Sequence, residues 1–393
     1  MPDPKAELGA LAAQLVSIPS ENPPGEEAAC AAFVHEWFRE HDIDAELLES
    51  PDPDRPQVAA RVGTGEPTIV LNGHTDVVPV EDSAEWTDDP YGGTIRNGRL
   101  YGRGSVDMKT GLAIAMLLAR DVADELESGA LDGSLVVHAA MGEETADPGT
   151  ETLLKRGYDG DFGIVLEPTD FRVATSSKGL AVYRVDVSGE ATHASQPDAG
   201  RNPAVGICET VEAVDAYDDR LRSRDRTLCG TPLASVTELE AGVGTNYGVI
   251  PDRGRTLIDR RIVPGERLET VDDEIDDLLA DIESRTSIEL DWKRIQHYAP
   301  ASIPADDPIA NRVRELSEEI ADAPTAPWGI EAATDVRNFI NDANIPAITW
   351  GPGSLDRAHT TDEYIDLSDA QRGREILERV VREFLSGAFE TRR

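Results

Sequence analysis

The residues best equipped for chemistry stand where apolar runs end. Ile69-Val70-Leu71 leads into Asn72-Gly73-His74-Thr75-Asp76, Leu135-Val136-Val137-His138-Ala139-Ala140-Met141 into Gly142-Glu143-Glu144, and Phe162-Gly163-Ile164-Val165-Leu166 into Glu167. Such runs read as strands buried on both faces. If parallel, they bring their C-terminal ends to one edge of one sheet, where open α/β sheets bind ligands. A strand period of two turns Asp76 to the same side as His74, where its carboxylate can hold one ring nitrogen and leave the other for a metal. Asp107, ahead of a helix expected over 111–127, and His359, in a loop, add a further carboxylate and imidazole. Mixed nitrogen and oxygen donors suit two divalent ions, and zinc favours them. Three coordinating carboxylates and a bridging hydroxide balance two such charges, whereas the cluster without ions repels itself. Ions about 3.5–4 Å apart lower the pKa of shared water and polarise a carbonyl. A remaining carboxylate can then act as general base and pass the proton on to a leaving amine.

The elements that must hold these residues follow from periodicity and punctuation. Helices are expected over 6–18, where Pro19-Ser20-Glu21-Asn22-Pro23-Pro24-Gly25 stops the first, and over 26–40, with strands at 44–49, 57–62 and 68–72. A hairpin at Asn97-Gly98 leads into Tyr101-Gly102-Arg103-Gly104-Ser105-Val106-Asp107-Met108-Lys109. This is no dinucleotide turn, because Asp107 stands where the third glycine is needed and the segment follows a hairpin. From residue 179 the pattern changes to strand 180–190, helix 203–222, strands 232–240 and 254–263, helix 268–285 and strand 287–296. That βαββαβ order is the split ferredoxin-like unit. After 298 the first pattern returns, with helices at 307–322 and 367–386 and a strand at 346–350. The expected organisation is therefore a catalytic α/β domain with a mostly parallel central sheet, residues 1–178 and 298–393, interrupted by an α+β domain over 179–297. His35 and His41 read as surface residues and His138 as a locally satisfied core histidine.

Composition narrows the class. The 393 residues carry 76 Asp and Glu against 37 Lys and Arg, a formal net charge of −39, and lysine occurs only at 5, 109, 155, 178 and 293. The acids are spread along the chain, so they read as a carboxylate-coated surface rather than a disordered tail. At molar salt the Debye length is about 3 Å, which would screen that repulsion, so a salt-rich, halophilic cytoplasm is expected. Nucleic-acid and anionic-membrane partners are not. Cys30, Cys208 and Cys229 are in no metal-ligand spacing and read as buried free thiols in a reducing compartment. No signal-like start and no stretch of ~18 apolar residues is seen.

Taken in order, Gly73-His74-Thr75-Asp76-Val77-Val78-Pro79, Tyr101 to Lys109, Glu143-Glu144, Glu167-Pro168-Thr169 and His359-Thr360-Thr361-Asp362-Glu363 resemble the successive motifs of the dizinc metallopeptidase family. That family includes acetylornithine deacetylase, succinyl-diaminopimelate desuccinylase, aminoacylase and carboxypeptidase G. The resemblance implies His74 and Glu167 on one zinc, Glu144 and His359 on the other, and Asp107 bridging. It also implies Glu143 as general base, Asp76 behind His74, and a cis peptide at Asp107-Met108. The inserted domain resembles the family's dimerising lid, in which His193 would reach the partner subunit's site to stabilise the oxyanion. Asn246 and Arg261 match substrate-holding positions, and Arg337 a further one in a loosely matching segment. The implied activity is hydrolysis of an N-acyl amino acid by a homodimer carrying two zinc ions, with cobalt or manganese as substitutes. A dipeptidase or carboxypeptidase on short peptides, and a catalytically inactive homologue that only binds, are the alternatives.

Overall fold

Every residue of the strand Thr68–His74 is buried, which its unbroken apolar run requires, and neighbours pair with it on both sides. A computed structural model describes residues 4–244, 246–286 and 288–389. They form two units, Met1–Thr175 with Ser302–Ile330 and Thr334–Arg393, and Ser176–Ala301 with Glu331–Ala333. The second corresponds to the stretch 179–297 read from the sequence, with slightly wider limits and a three-residue return.

The first unit is α/β. Ser134–Ala140, Thr68–His74, Phe162–Val165 and Ala347–Thr349 lie side by side in that order and run parallel. Gln57–Gly63 and Asp44–Leu48 extend one side and Ala174–Ser177 the other, all antiparallel. Register then decides which residues meet. His74 pairs with Ala140 and Asn72 with Val165, so Glu143, Glu144 and Glu167 emerge just past the same sheet edge as His74. The helix Lys109–Ser128 packs on the two central strands and on the helices Pro4–Val16 and Leu367–Leu385. Its first turns are wholly buried, and Gly129, at φ +72°, ends it in the left-handed conformation that glycine tolerates best. Each fully buried aliphatic side chain of this core contributes about 1.5–3 kcal/mol of transfer free energy.

A small three-stranded sheet brings the two remaining donors in. Thr94–Arg96 and Arg99–Tyr101 form the expected hairpin, with Asn97 at φ +51° and Gly98 at +79°, as a tight primed turn demands. Tyr364–Asp366 pairs with its second strand, Tyr364 opposite Tyr101. The segment carrying Asp107 and the one carrying His359 therefore start from adjacent positions. Periodicity could not show this strand, because three residues leading straight into a helix carry no pattern.

The second unit has strand order Leu233–Ala241, Arg253–Ile262, Gly179–Ser188, Leu290–Tyr298, all antiparallel, with helices Pro203–Arg222 and Leu268–Thr286 closing a separate apolar core. Residue 287, where the sequence reading began the last strand, lies outside the described residues. One cysteine departs from expectation: Cys30 and Cys229 are buried free thiols, but Cys208 is exposed, because it sits on the outward side of the helix Pro203–Arg222. His138 is a core residue as read. Its Nε2 lies 2.8 Å from the Tyr158 carbonyl, and burial pushes its pKa down to about 4. No described helix is long and apolar enough to cross a membrane.

Candidate metal centre

Asp107 stands between two histidines. Its Oδ1 lies 3.2 Å from His74 Nε2 and its Oδ2 3.3 Å from His359 Nε2. Glu167 Oε1 is 3.8 Å from His74 Nε2, and both Glu144 oxygens are 3.2 Å from His359 Nε2. The donors thus fall into two groups that share Asp107: His74, Asp107 and Glu167, and Asp107, Glu144 and His359. Donors bound tetrahedrally at about 2.1 Å lie roughly 3.4 Å apart, so these spacings are those of ligands around common ions. The chemistry of the set agrees. Glu167 Oε1 is buried with no hydrogen-bond partner, an expensive state for a carboxylate that a cation would relieve. The residues present fit two divalent ions.

Electrostatics tells the same story from the protons. Burial raises the carboxyl of Glu167 well above the usual range, and the charges of Asp107 and Glu143 add to it. Burial also raises Glu144, against the pull of His359. For His74, burial disfavours the charged ring, but hydrogen bonds to Asp107 and Asp76 outweigh it and lift the imidazole well above its ordinary value. Hydrogen bonds donated to Asp107 and Glu144 push His359 up to about 11. Asp107 moves the other way; both histidines hold it below the carboxylate range despite its burial.

Glu143 belongs to neither donor group. Burial raises its carboxyl well above 4.5 against the pull of His74, and the nearby charges of Asp335 and Glu144 add to the rise. The peptide between Asp107 and Met108 is cis.

Asp76 does more than its spacing suggests. The strand stops at His74, so the period of two does not continue: His74 Nδ1 lies 2.9 Å from the Asp76 carbonyl oxygen and 3.5 Å from its carboxylate. The carboxylate also accepts the backbone N–H of Glu143 at 3.2 Å and of Glu144 at 3.0 Å, and Asn22 Nδ2 at 2.9 Å. It aims the turn that carries both glutamates. Asp76→Asn would set an amide against these donors, and a 10–100-fold loss in turnover or metal affinity is expected. Kinetics and metal content of the variant check this, and wild-type values for both would contradict it.

Four further candidates came from the sequence. Arg337 is in the first unit, buried, its Nη2 3.4 Å from Asp335 Oδ1. His193, Asn246 and Arg261 lie in the second unit. His193 is exposed in the short pairing of Thr192–His193 with Val249–Ile250 and contacts Ser195 Oγ at 2.7 Å. Asn246 is exposed and accepts the Gly248 N–H, while its neighbour Thr245 lies outside the described residues. Arg261 donates to Asp259 at 2.8 Å. Reading the sequence missed Asn22, taken only as part of a helix stop, and Asp335, whose Oδ2 accepts from Thr150 Oγ1 at 2.6 Å. Neither had a local signal, since both act through segments distant in the chain.

Comparison with known proteins bears on the same residues. The chain is 25% identical over 383 residues to a protein of Staphylococcus aureus named probable succinyl-diaminopimelate desuccinylase, covering 91% of this chain and 92% of the relative. It is 27% identical over 382 residues to acetylornithine deacetylase of Proteus mirabilis, covering 94% and 95%. Its fold matches an M20 family metallo-carboxypeptidase from Sulfolobus solfataricus with a TM-score of 0.81 at 17% identity, over 98% of this chain and all of the other. The family model described as Peptidase family M20/M25/M40 matches residues 70–383, from the strand that ends in His74 to beyond His359, and the chain is a hydrolase belonging to that family.

Proposed function

We propose that the protein hydrolyses the amide bond of an N-acyl amino acid with a free carboxylate, the substrate type that the names of its deacetylase and desuccinylase relatives describe. The observation that carries this reading is Asp107, whose two oxygens face two histidines in two donor groups, with Glu143 left outside both. His74 and Glu167 would hold one ion, Glu144 and His359 the other, and Asp107 both; zinc suits these donors, and cobalt or manganese would serve. When bound, such ions supply Lewis acidity towards a carbonyl and acidify water. Glu143 takes the proton of the attacking water and delivers it to the departing amine nitrogen. Asp76 keeps the Glu143 backbone fixed during both transfers.

The second unit would complete the site in a homodimer. Among the described residues its edge strand Leu233–Ala241 pairs on one side only and exposes Leu239, which supports association there. His193 would then stabilise the oxyanion in the partner's site, while Arg261 and Asn246, with Arg337 of the first unit, would bind the substrate carboxylate. The acidic surface supports a salt-rich cytoplasm as the setting.

The test is a panel of N-acetylornithine, succinyl-diaminopimelate, simple dipeptides and C-terminally extended peptides, assayed at molar salt with zinc-reconstituted protein. Turnover of an acyl amino acid above the peptides is expected. Cleavage of peptides alone would move the assignment to a dipeptidase or carboxypeptidase, and no turnover by protein carrying two ions would make the chain a binding homologue.

A further inference from the structure

The donors differ in how they are held. His74 and Glu167 stand at or just past strands whose backbones the sheet fixes, but Asp107 and His359 come from loops, and His359 is half exposed, with a φ of +59°. Something else must fix those loops. Glu363 is 1% exposed and Arg103 5%. Glu363 Oε1 accepts the backbone N–H of Val106 at 2.9 Å and of Asp107 at 3.2 Å. Glu363 Oε2 accepts Arg103 Nη1 at 2.7 Å, and the same nitrogen reaches the Thr360 carbonyl at 3.3 Å. Gly102 N–H closes the circuit on the Glu363 carbonyl at 3.0 Å. One buried ion pair therefore spans the Asp107 turn and the His359 loop. A neutral apolar pair would fill this space without the desolvation cost of two charges, so the charges have a use beyond packing.

We propose that Glu363 and Arg103 are positioning residues that hold the Asp107 turn against the His359 loop, and so set the affinity of the donor group Asp107, Glu144 and His359, which depends on both loops, more than that of the group His74, Asp107 and Glu167, which shares only Asp107 with it. The inference rests on the two-ion reading above. Carboxylates accepting two successive backbone amides hold both ligand turns of this centre, Asp76 that of Glu143 and Glu144 and Glu363 that of Val106 and Asp107.

The test titrates zinc calorimetrically into metal-stripped, full-length protein at molar salt, for the wild type, Glu363→Gln, Arg103→Lys and, as reference, His359→Ala. Wild type is expected to bind two ions. Glu363→Gln should weaken the weaker step 10–100-fold, approaching the His359→Ala isotherm, and weaken the tighter step, which shares Asp107, distinctly less. Turnover should recover as zinc is raised, which a generally loosened fold would not give. Arg103→Lys keeps the cation beside Glu363 and should lose less in the same step; it also serves if Glu363→Gln does not fold. Two wild-type steps in both variants, or a loss shared equally by both steps, overturns the proposal. A wild type that binds fewer than two ions overturns the two-ion reading itself.

Discussion

Replacing Glu143 by glutamine should lower kcat by about 10²–10⁴-fold, the range typical of a lost general base, while KM and the binding of two ions stay near wild type. Glutamine keeps the size of the side chain and the N–H that Asp76 accepts, so the turn retains its anchor. Only the proton-accepting oxygen is lost. The pH profile gives a second reading. Burial raises the Glu143 carboxyl in the ion-free fold, nearby cations lower it, and a base works only when ionised, so kcat/KM of the ion-loaded wild type should fall in acid as Glu143 takes up its proton. The residual activity of the variant should lack this limb. Steady-state rates across pH, together with metal analysis, decide the matter; a variant within tenfold of wild type would remove Glu143 from the reaction.

Much of this centre was legible before any coordinates, for a specific reason. Strands buried on both faces are long apolar runs, so their ends are conspicuous, and the residues at those ends, His74, Glu143, Glu144 and Glu167, could be read directly. The alternating strands and amphipathic helices of the second unit were equally plain, and the four strands and two helices fall within a few residues of the expected limits. What did not show was whatever depends on a chain reversal. Asp76 could be read as a neighbour of the His74 ring but not as the acceptor of the Glu143 and Glu144 amides, because spacing in a strand says nothing about where the strand ends. Asn22 looked like a helix stop, although its amide reaches Asp76 at 2.9 Å and Thr145 at 2.7 Å. The short strand Tyr364–Asp366, which brings the His359 loop against the Asp107 turn, has too few residues for a period.

Stripping the ions should abolish turnover and, less obviously, leave a protein whose stability falls as pH rises. In the ion-free fold His74, His359, Glu143, Glu144 and Glu167 are all raised above their ordinary values. Each therefore binds its proton more tightly folded than unfolded, contributes stability fully below its unfolded pKa, and loses it as pH climbs through the folded value. For His359 that window runs from 6.5 to about 11. Asp107 and Asp76, which are lowered, act in the opposite sense and matter only in acid, where their stabilisation is lost as pH falls below the usual aspartate value. Ions take the places of those protons, so loading must release protons, and the loaded fold no longer has them to lose. The gap in Tm between zinc-loaded and chelator-treated protein should widen from pH 6 to pH 9, with the stripped form accounting for most of the change. Molar salt screens the acidic surface but reaches a buried cluster far less, so the trend should survive in the buffer that suits the chain's charge. A gap that stays flat over those three units would mean that the cluster holds no protons for ions to displace.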